Sequence, residues 1–297
     1  MARKFRGTYS VMVTAFDAKG RVDLEKMAAY TDWQVGQGIH GLIPLGSTGE
    51  FLSMTELERV SVARCVIDSV AGRVPVLIGT GAENTDDAIR YSQQAEALGA
   101  DGVMVIPPYY STPTEDELFE HYRRIAAAIS VPIMLYNNPA TANVDLTPPI
   151  VARLSTIEGI SYIKESTMDV TRVRDILDLC DGRMTVFGGI MGFESFMNGA
   201  QGWVAVGSNI MPREFARLFE LSDAGDIAGA RALYQQALPV IRLVGEHRYV
   251  SATKTALAML GHPVGNPRPP RLPTPPAEMD SVVRALEAAG LAPTRTT

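Results

Sequence analysis

The sequence predicts an α/β fold: a (β/α)8 TIM barrel with a C-terminal helical extension. Eight short apolar runs occupy residues 9–14, 41–45, 74–79, 102–106, 132–136, 160–164, 184–187 and 202–206, each bounded by Gly, Pro or Asn. Continuous apolar runs of that length read as parallel strands buried on both faces. Amphipathic stretches at helical spacing separate them. The 297 residues accommodate the roughly 250 that such a barrel takes. A doubly wound sheet shares this alternation, but it carries a glycine-rich phosphate loop after its first strand, and Thr14-Ala15-Phe16-Asp17 stands there instead.

The helices follow from the same pattern. In 55–70, Leu57, Val60, Ala63, Val66 and Ile67 recur at helical spacing behind the N-cap candidate Thr55. The stretch 84–98 is capped by Asn84 or Thr85 and stopped by Gly99. From about Pro212 the strands stop, and 212–221, 226–244 and 247–260 read as helices, the last ended by Gly261. A strap containing Pro263, Pro267, Pro269, Pro270, Pro273, Pro275 and Pro276 follows. It predicts a fixed extended connector rather than a polyproline recognition motif, because another helix comes after it. Met279, Val282, Leu286 and Ala289 give that helix one apolar face, Gly290 ends it, and residues 292–297 are expected to fray. The domain expectation is a catalytic barrel over 1–224 and a helical region over 225–297.

Composition narrows the function classes. Apolar residues at 46% and charged residues at 20% are globular values and exclude disorder. A net charge of −6 argues against nucleic acid and anionic membrane as partners, both of which need a basic face. No apolar run approaches the roughly 18 residues of a membrane span. The start, Met1-Ala2-Arg3-Lys4-Phe5-Arg6, is basic with no hydrophobic stretch behind it, so no secretory signal is expected. Cys65 and Cys180 form no disulfide framework and predict two reduced, buried thiols in a cytoplasmic protein. The histidines His40, His121, His247 and His262 are scattered, so no metal site is expected, and each reads as a surface or capping residue.

In a barrel of this kind chemistry collects at the carboxyl ends of the strands. The second strand ends in Gly46-Ser47-Thr48-Gly49-Glu50, where two glycines let the backbone approach a ligand. The Ser47 and Thr48 amides would suit a small anion such as a carboxylate, or the segment is an ordinary turn. The sixth strand ends in Ile163-Lys164-Glu165. A lysine ending an apolar strand either reaches the rim and pairs with Glu165 or faces inward, because successive strand residues point oppositely. Burying an ammonium costs about 1.4 kcal/mol for each pKa unit it is displaced, so an inward lysine calls for a use. Attack of a neutral amine on a carbonyl, giving a Schiff base, is the natural one. Tyr136 lies 28 residues earlier, one βα unit back at the same end of the adjacent strand, where a phenol can relay protons. Its alternative is a packed ring bonded to a backbone carbonyl.

The segments Gly46-Ser47-Thr48-Gly49-Glu50, Gly79-Thr80-Gly81-Ala82, Pro107-Pro108-Tyr109-Tyr110, Tyr136-Asn137-Asn138-Pro139 and Ile163-Lys164-Glu165 together resemble the dihydrodipicolinate synthase / N-acetylneuraminate lyase family of class I aldolases, over nearly the whole chain. The resemblance implies a homotetramer acting on a small molecule, pyruvate or a related 2-oxo acid, with no cofactor beyond a covalent imine on Lys164. It implies Tyr136 as proton relay, Gly46, Ser47 and Thr48 around the substrate carboxylate, and Tyr110 reaching across a subunit interface to complete a relay with Tyr136 and Ser47. Val204 falls where the family sets a backbone carbonyl near the lysine, and Gly189 lines the substrate after the seventh strand. Two departures stand out. Thr141 occupies the position where synthases carry an arginine for the carboxylate of aspartate semialdehyde, and threonine cannot replace a bidentate guanidinium. The segment Gly188-Gly189-Ile190-Met191-Gly192-Phe193 lacks the acidic pair that holds a sialic acid. The expectation is therefore a lyase that cleaves, condenses or dehydrates a 2-oxo or 2-oxo-3-deoxy acid, and not a true dihydrodipicolinate synthase. Two other readings compete. One is a sugar-phosphate enzyme using Gly188-Gly189 and Gly207-Ser208 as a phosphate site. The other is a non-catalytic barrel that binds a 2-oxo acid.

Overall fold

The computed structural model describes residues 4–246 and 248–294. His247, expected to open a helix, and residues 1–3 and 295–297 of the basic start and the tail lie outside the described residues. The strands are β1 (Gly7–Val11), β2 (Gly41–Ile43), β3 (Leu77–Gly79), β4 (Gly102–Val105), β5 (Ile133–Asn137), β6 (Ile160–Glu165), β7 (Thr185–Gly188) and β8 (Gly202–Ala205). Each overlaps one of the eight apolar runs. They form one sheet in the order β2-β1-β8-β7-β6-β5-β4-β3, alternating with helices, and the fold class is a (β/α)8 TIM barrel. The helices are α1 (Leu24–Gly36), α2 (Glu56–Val70), α3 (Thr85–Ala97), α4 (Glu115–Ala127), α5 (Pro148–Leu154), α6 (Thr171–Cys180), α7 (Gly192–Met197), α8 (Pro212–Asp223), α9 (Ile227–Leu243), α10 (Tyr249–Met259) and α11 (Pro276–Ala288). The expected boundary at 224/225 falls between α8 and α9. Among the described residues no helix is long and apolar enough to cross a membrane.

The chain packs as two compact units. The first takes the segment ending at Gly7 together with Pro75–Val204. Its strands are buried at every position but Ser161, with Val103, Val105, Ile133, Leu135, Ile163 and Val186 wholly inaccessible. That explains why they read as apolar runs without alternation. Helix α3 is capped by Asn84, whose side chain accepts from Asp87 N. Helix α4 starts with a capping box of Thr114 and Glu117. The pairing of β5 with β6 holds a local irregularity: Ile133 opposes Ile160, but Met134 opposes Tyr162. This one-residue shift sets everything downstream. It places Tyr136 opposite Lys164, where an unbroken register would have paired Tyr136 with Ile163.

The second unit takes Thr8–Val74 and the segment that starts at Ala205. Here Tyr9 opposes Gly41 across β1 and β2. A Cβ on Gly41 would stand 2.4 Å from the Tyr9 ring, so this position has no room for a side chain. The first strand was expected over 9–14, but β1 ends at Val11. Met12 N still reaches Ile43 O, yet Val13 N bonds the Asn209 side chain instead of a neighbouring strand. Helix α2 opens with a capping box of Thr55 and Glu58. Residues 262–275 contain one turn and otherwise no regular structure. This strap is tied down by Phe16 N to Val264 O at 3.0 Å and by Arg268, which donates to Gly20 O and Ser53 O at 2.7 Å each.

Arg268 also forks onto Glu58, with Nη1 at 2.9 Å from Oε2 and Nη2 on Oε1. The guanidinium, helped by Thr55 N–H, holds the Glu58 carboxyl down at about 2. A depressed carboxylate pKa gives stability that is complete above the unfolded value near 4.5 and is lost as pH falls toward 2. Screened by solvent, that window corresponds to about 1 kcal/mol. Acid unfolding of Glu58→Gln, measured beside the parent, is expected to show a shallower fall in stability between pH 6 and pH 3, by about 1 kcal/mol. Parallel pH curves would remove the assignment.

Two expectations about single residues are corrected. Cys180 is buried, but Cys65 is only partly so; both are free. His121 is neither a surface nor a capping residue: it is 5% exposed, its Nδ1 lies 3.0 Å from Thr85 Oγ1, and burial pushes its pKa down to about 4. His40 accepts from Thr8 N at 3.1 Å, and His262 stacks on Trp33.

Candidate active site

The first unit presents a buried amine against a phenol. Lys164 is 5% exposed and Tyr136 is 6% exposed, and they are direct register partners at the carboxyl ends of β6 and β5. The Lys164 Nζ lies over the Tyr136 ring, 4.0 Å from its centroid. An amine stacked on the electron-rich face of a phenol keeps a favourable contact without a carboxylate partner. Glu165 turns to the other face of the sheet, as strand alternation requires. There it accepts from Asn137 Nδ2 at 3.0 Å and from Thr167 N at 2.8 Å, and burial raises its pKa. Asn137 in turn donates to Asp145 at 3.1 Å and accepts from Leu146 N at 2.9 Å. Asp145 is held by a two-pronged contact from Arg172 at 2.6 and 2.8 Å, which lowers its pKa. This outward network clamps the ends of β5 and β6 together. Lys164 and Tyr136, one residue back on each strand, are thereby fixed from behind.

Two residues that the sequence reading left without a role sit close to this pair. Asn138 donates from Nδ2 to the Tyr136 hydroxyl at 3.0 Å. Ser166 is 4% exposed, and its Oγ has no hydrogen-bond partner among the described residues. Ser166 N bonds Asn137 O at 3.0 Å, so Ser166 continues the line of β6 with the parity of Lys164. A buried hydroxyl without a partner costs free energy, and a ligand hydroxyl or carboxylate would supply the missing bond. Gly189 makes room for it: a Cβ there would stand 1.8 Å from Ser166 Oγ, and Gly189 N bonds Glu165 O at 2.7 Å. Close packing also accounts for Gly188, whose added Cβ would meet Ser195 Oγ at 2.6 Å. Val204 is wholly buried on β8, two strands from β6 in the sheet order.

Tyr110 and Thr141, unlike the pair, are exposed. The Tyr110 side chain is 84% exposed. Its backbone is nonetheless firmly placed. Glu83 accepts from the N–H groups of Tyr109, Tyr110 and Ser111 at 2.9 Å each, and Asn143 Nδ2 donates to Tyr110 O at 2.8 Å. Thr141 is exposed, and its hydroxyl donates back to Asn138 O at 3.3 Å.

The anion loop belongs to the second unit. Residues 46–49 are bracketed by two non-glycine residues in the left-handed region, Leu45 at φ 61° and Glu50 at φ 59°. Such backbone costs about 1–3 kcal/mol at each position and persists where its surroundings impose it. Gly49 N and Glu50 N fold back onto Gly46 O and Ser47 O at 3.0 and 3.2 Å. Thr14 Oγ1 donates to Gly49 O at 2.7 Å. The amides of Ser47 and Thr48 find no acceptor among the described residues, although Gly46 and Thr48 are buried. Successive free N–H groups in a turn are the kind of arrangement that can accept an anion.

The comparisons agree with this architecture. The 4-hydroxy-tetrahydrodipicolinate synthase of Syntrophobacter fumaroxidans is 36% identical over 290 residues, covering 97% of this chain and 99% of that protein. The enzyme of the same name from Thermodesulfovibrio yellowstonii is 34% identical, with 97% and 99% covered. Among solved structures, the chloride-inhibited dihydrodipicolinate synthase of Acinetobacter baumannii, complexed with pyruvate, superimposes with a TM-score of 0.93 at 31% identity, covering 97% of this chain and 100% of that one. The dihydrodipicolinate synthase of Aquifex aeolicus gives a TM-score of 0.94 at 28% identity, with 98% and 100% covered. Fold and matches define a barrel lyase of the class I aldolase type. The model of the dihydrodipicolinate synthetase family matches residues 4–289, and the chain belongs to that family.

Proposed function

We propose that this protein is a Schiff-base-forming lyase acting on pyruvate or a 2-oxo-3-deoxy acid. The observation that carries the reading is the register pairing of Tyr136 with Lys164, which sets a buried amine over the face of a phenol. In the proposed cycle the 2-oxo acid places its carboxylate on the Ser47 and Thr48 amides beside Gly46. The amine of Lys164 adds to C2, and the carbinolamine loses its oxygen as water. The protonated imine then withdraws electrons from C3. Either the C3–C4 bond breaks to an enamine and an aldehyde, or loss of a C3 proton expels a C4 hydroxyl as water. Condensation is the reverse of the first branch. Hydrolysis of the imine returns the 2-oxo acid and the free amine. Tyr136, oriented by Asn138, carries protons between the nitrogen, the departing water and the substrate oxygen.

The proposal extends to the neighbours of the pair. Val204 and Gly189 line the pocket, and Ser166 bonds a hydroxyl of the substrate's distal part. Tyr110, exposed in one chain, joins the relay of another subunit in a homotetramer. No cofactor is required beyond the imine on Lys164. Two free thiols fit a cytoplasmic location. For the second substrate, Thr141 decides the reading. The relatives' names indicate dihydrodipicolinate chemistry, whereas an exposed threonine offers no fork for the carboxylate of aspartate semialdehyde. We therefore favour a hydroxylated 2-oxo-3-deoxy acid over aspartate semialdehyde.

Borohydride trapping across pyruvate, other 2-oxo acids and 2-oxo-3-deoxy sugar acids, followed by peptide mapping and product analysis, tests both halves. The expected adduct lies on Lys164, with turnover of at least one 2-oxo-3-deoxy acid. An adduct elsewhere, or none, overturns the Schiff base. Consumption of aspartate semialdehyde together with pyruvate overturns the substrate choice.

A further inference from the structure

Glu50 closes the 46–50 loop and takes no part in the proposed cycle. Its carboxylate is wholly buried and faces Lys254 of α10, which is 2% exposed. Lys254 Nζ approaches Glu50 Oε1 to 2.8 Å as a charge contact. The other oxygen, Oε2, accepts from the backbone N–H of Arg268 at 2.8 Å. Lys254 also donates to Asn266 O at 3.3 Å and lies 4.2 Å from the centroid of Phe16, and the Arg268 guanidinium lies 4.4 Å from the same ring. Arg268 passes the connection on to Glu58, Gly20 O and Ser53 O. Two segments more than 200 residues away in sequence thus meet on the last residue of the loop.

A buried ion pair of this kind is a poor source of stability, because desolvation offsets the attraction. What it supplies is a fixed geometry. Glu50 sits in the left-handed region at φ 59°, a conformation that its surroundings must impose. One carboxylate oxygen is hydrogen-bonded and the other, which accepts no hydrogen bond, is in ion contact with Lys254, so Glu50 is restrained while Glu50 N folds onto Ser47 O. That holds the turn that carries the Ser47 and Thr48 amides.

We propose that the Glu50–Lys254–Arg268 cluster is a positioning device that holds the Ser47–Thr48 amides in shape for the substrate carboxylate, so that α10 and the strap set the affinity for the 2-oxo acid. Glu50, Lys254 and Arg268 are positioning residues and touch no substrate. The proposal rests on the function proposed above.

The test uses Glu50→Gln, Lys254→Met and the double variant E50Q/K254M, with pyruvate as probe. Three quantities are read: the thermal midpoint, the borohydride adduct at saturating pyruvate, and the pyruvate concentration giving half of it. Each single variant leaves a buried charge uncompensated and loses stability. The double variant carries no unpaired charge and is expected to recover the midpoint. Its half-saturating pyruvate concentration is nevertheless expected to stay about tenfold above the parent's, with the adduct at saturation retained. A purely structural role predicts recovery of both, so a stable double variant with parental half-saturation overturns the proposal. If the double variant does not fold, Lys254→Arg is read instead. It keeps a cation on Glu50 and should stay within about threefold of the parent, while Lys254→Met shows the tenfold loss; equal half-saturation in these two variants overturns the proposal. A parent that traps no 2-oxo acid at all overturns the preceding function, and this proposal with it. Trapping in the parent with unaltered half-saturation in the double variant removes only the positioning role.

Discussion

Lys164→Ala is expected to eliminate the borohydride-trapped pyruvate adduct and to lower turnover by about 10⁴–10⁶-fold, the scale for removing a covalent nucleophile. The protein should still fold. Lys164 is 5% exposed, and the contact recorded for its amine is the ring of Tyr136, 4.0 Å from the centroid. Deleting the side chain leaves a cavity, but it also relieves the cost of burying an amine, so the two effects offset each other. The network of Asn137, Glu165, Asp145 and Arg172, which clamps the strand ends, stays intact because it lies on the opposite face of the sheet. Turnover, adduct mass and thermal midpoint should be measured on the same preparation. A midpoint close to the parent's, with no adduct and no turnover, is the expected combination. Persistence of the adduct in the variant, or a loss below about a hundredfold, would rule out Lys164 as the nucleophile.

The fold was legible because parallel strands carry little else than apolar residues. Buried on both faces, β4 and β5 read as short apolar runs with glycine or proline at the edges. Helix starts were legible where a polar side chain caps free amides: Thr55 and Asn84 stand one residue before α2 and α3. The end of β1 was not legible. Met12 and Val13 are as apolar as the strand before them, and only the Asn209 side chain, 196 residues away, takes Val13 N out of the ladder. His121 was misread for a related reason. Its spacing places it on α4, but whether that face is buried depends on what packs there.

The site divides in the same way. That Tyr136 and Lys164 fall on neighbouring strand ends follows from one βα repeat of chain between them. That they oppose each other directly depends on the irregularity after Ile133, which no residue in the run announces. Asn138 was in view as part of a motif, but its bond to the Tyr136 hydroxyl is a matter of side-chain rotamer. Ser166 gave no signal, because an unpartnered hydroxyl is a property of its surroundings. The partners of Glu50 were beyond reach for a further reason. A salt bridge between residues 50 and 254 leaves no local pattern, and the prolines of the strap concealed the arginine among them.

Tyr136→Phe isolates the phenol from the ring. The substitution keeps the aromatic face beneath the Lys164 amine and the packing of β5, and it removes only the hydroxyl that accepts from Asn138. Stability should therefore change little, since Asn138 is only partly buried and water can take over its lost bond. Catalysis should change much more. The cycle moves a proton onto the departing carbinolamine oxygen and another to or from the substrate. A general acid–base group contributes about 10²–10⁴-fold to such steps, and the variant's turnover is expected to fall by that factor. Its pyruvate half-saturation should move far less, because the Ser47 and Thr48 amides, which hold the carboxylate in the proposed cycle, are untouched. Imine formation survives at a reduced rate, so the adduct appears slowly and still reaches completion. Exchange of the C3 protons of pyruvate with solvent should slow in parallel with turnover, since both pass through the same protonated imine. Asn138→Ala offers a graded comparison, leaving the hydroxyl in place without its donor and costing less than Tyr136→Phe. If Tyr136→Phe turned over within about threefold of the parent, the proton relay would have to be assigned to another group, and the pairing of Tyr136 with Lys164 would be a matter of packing alone.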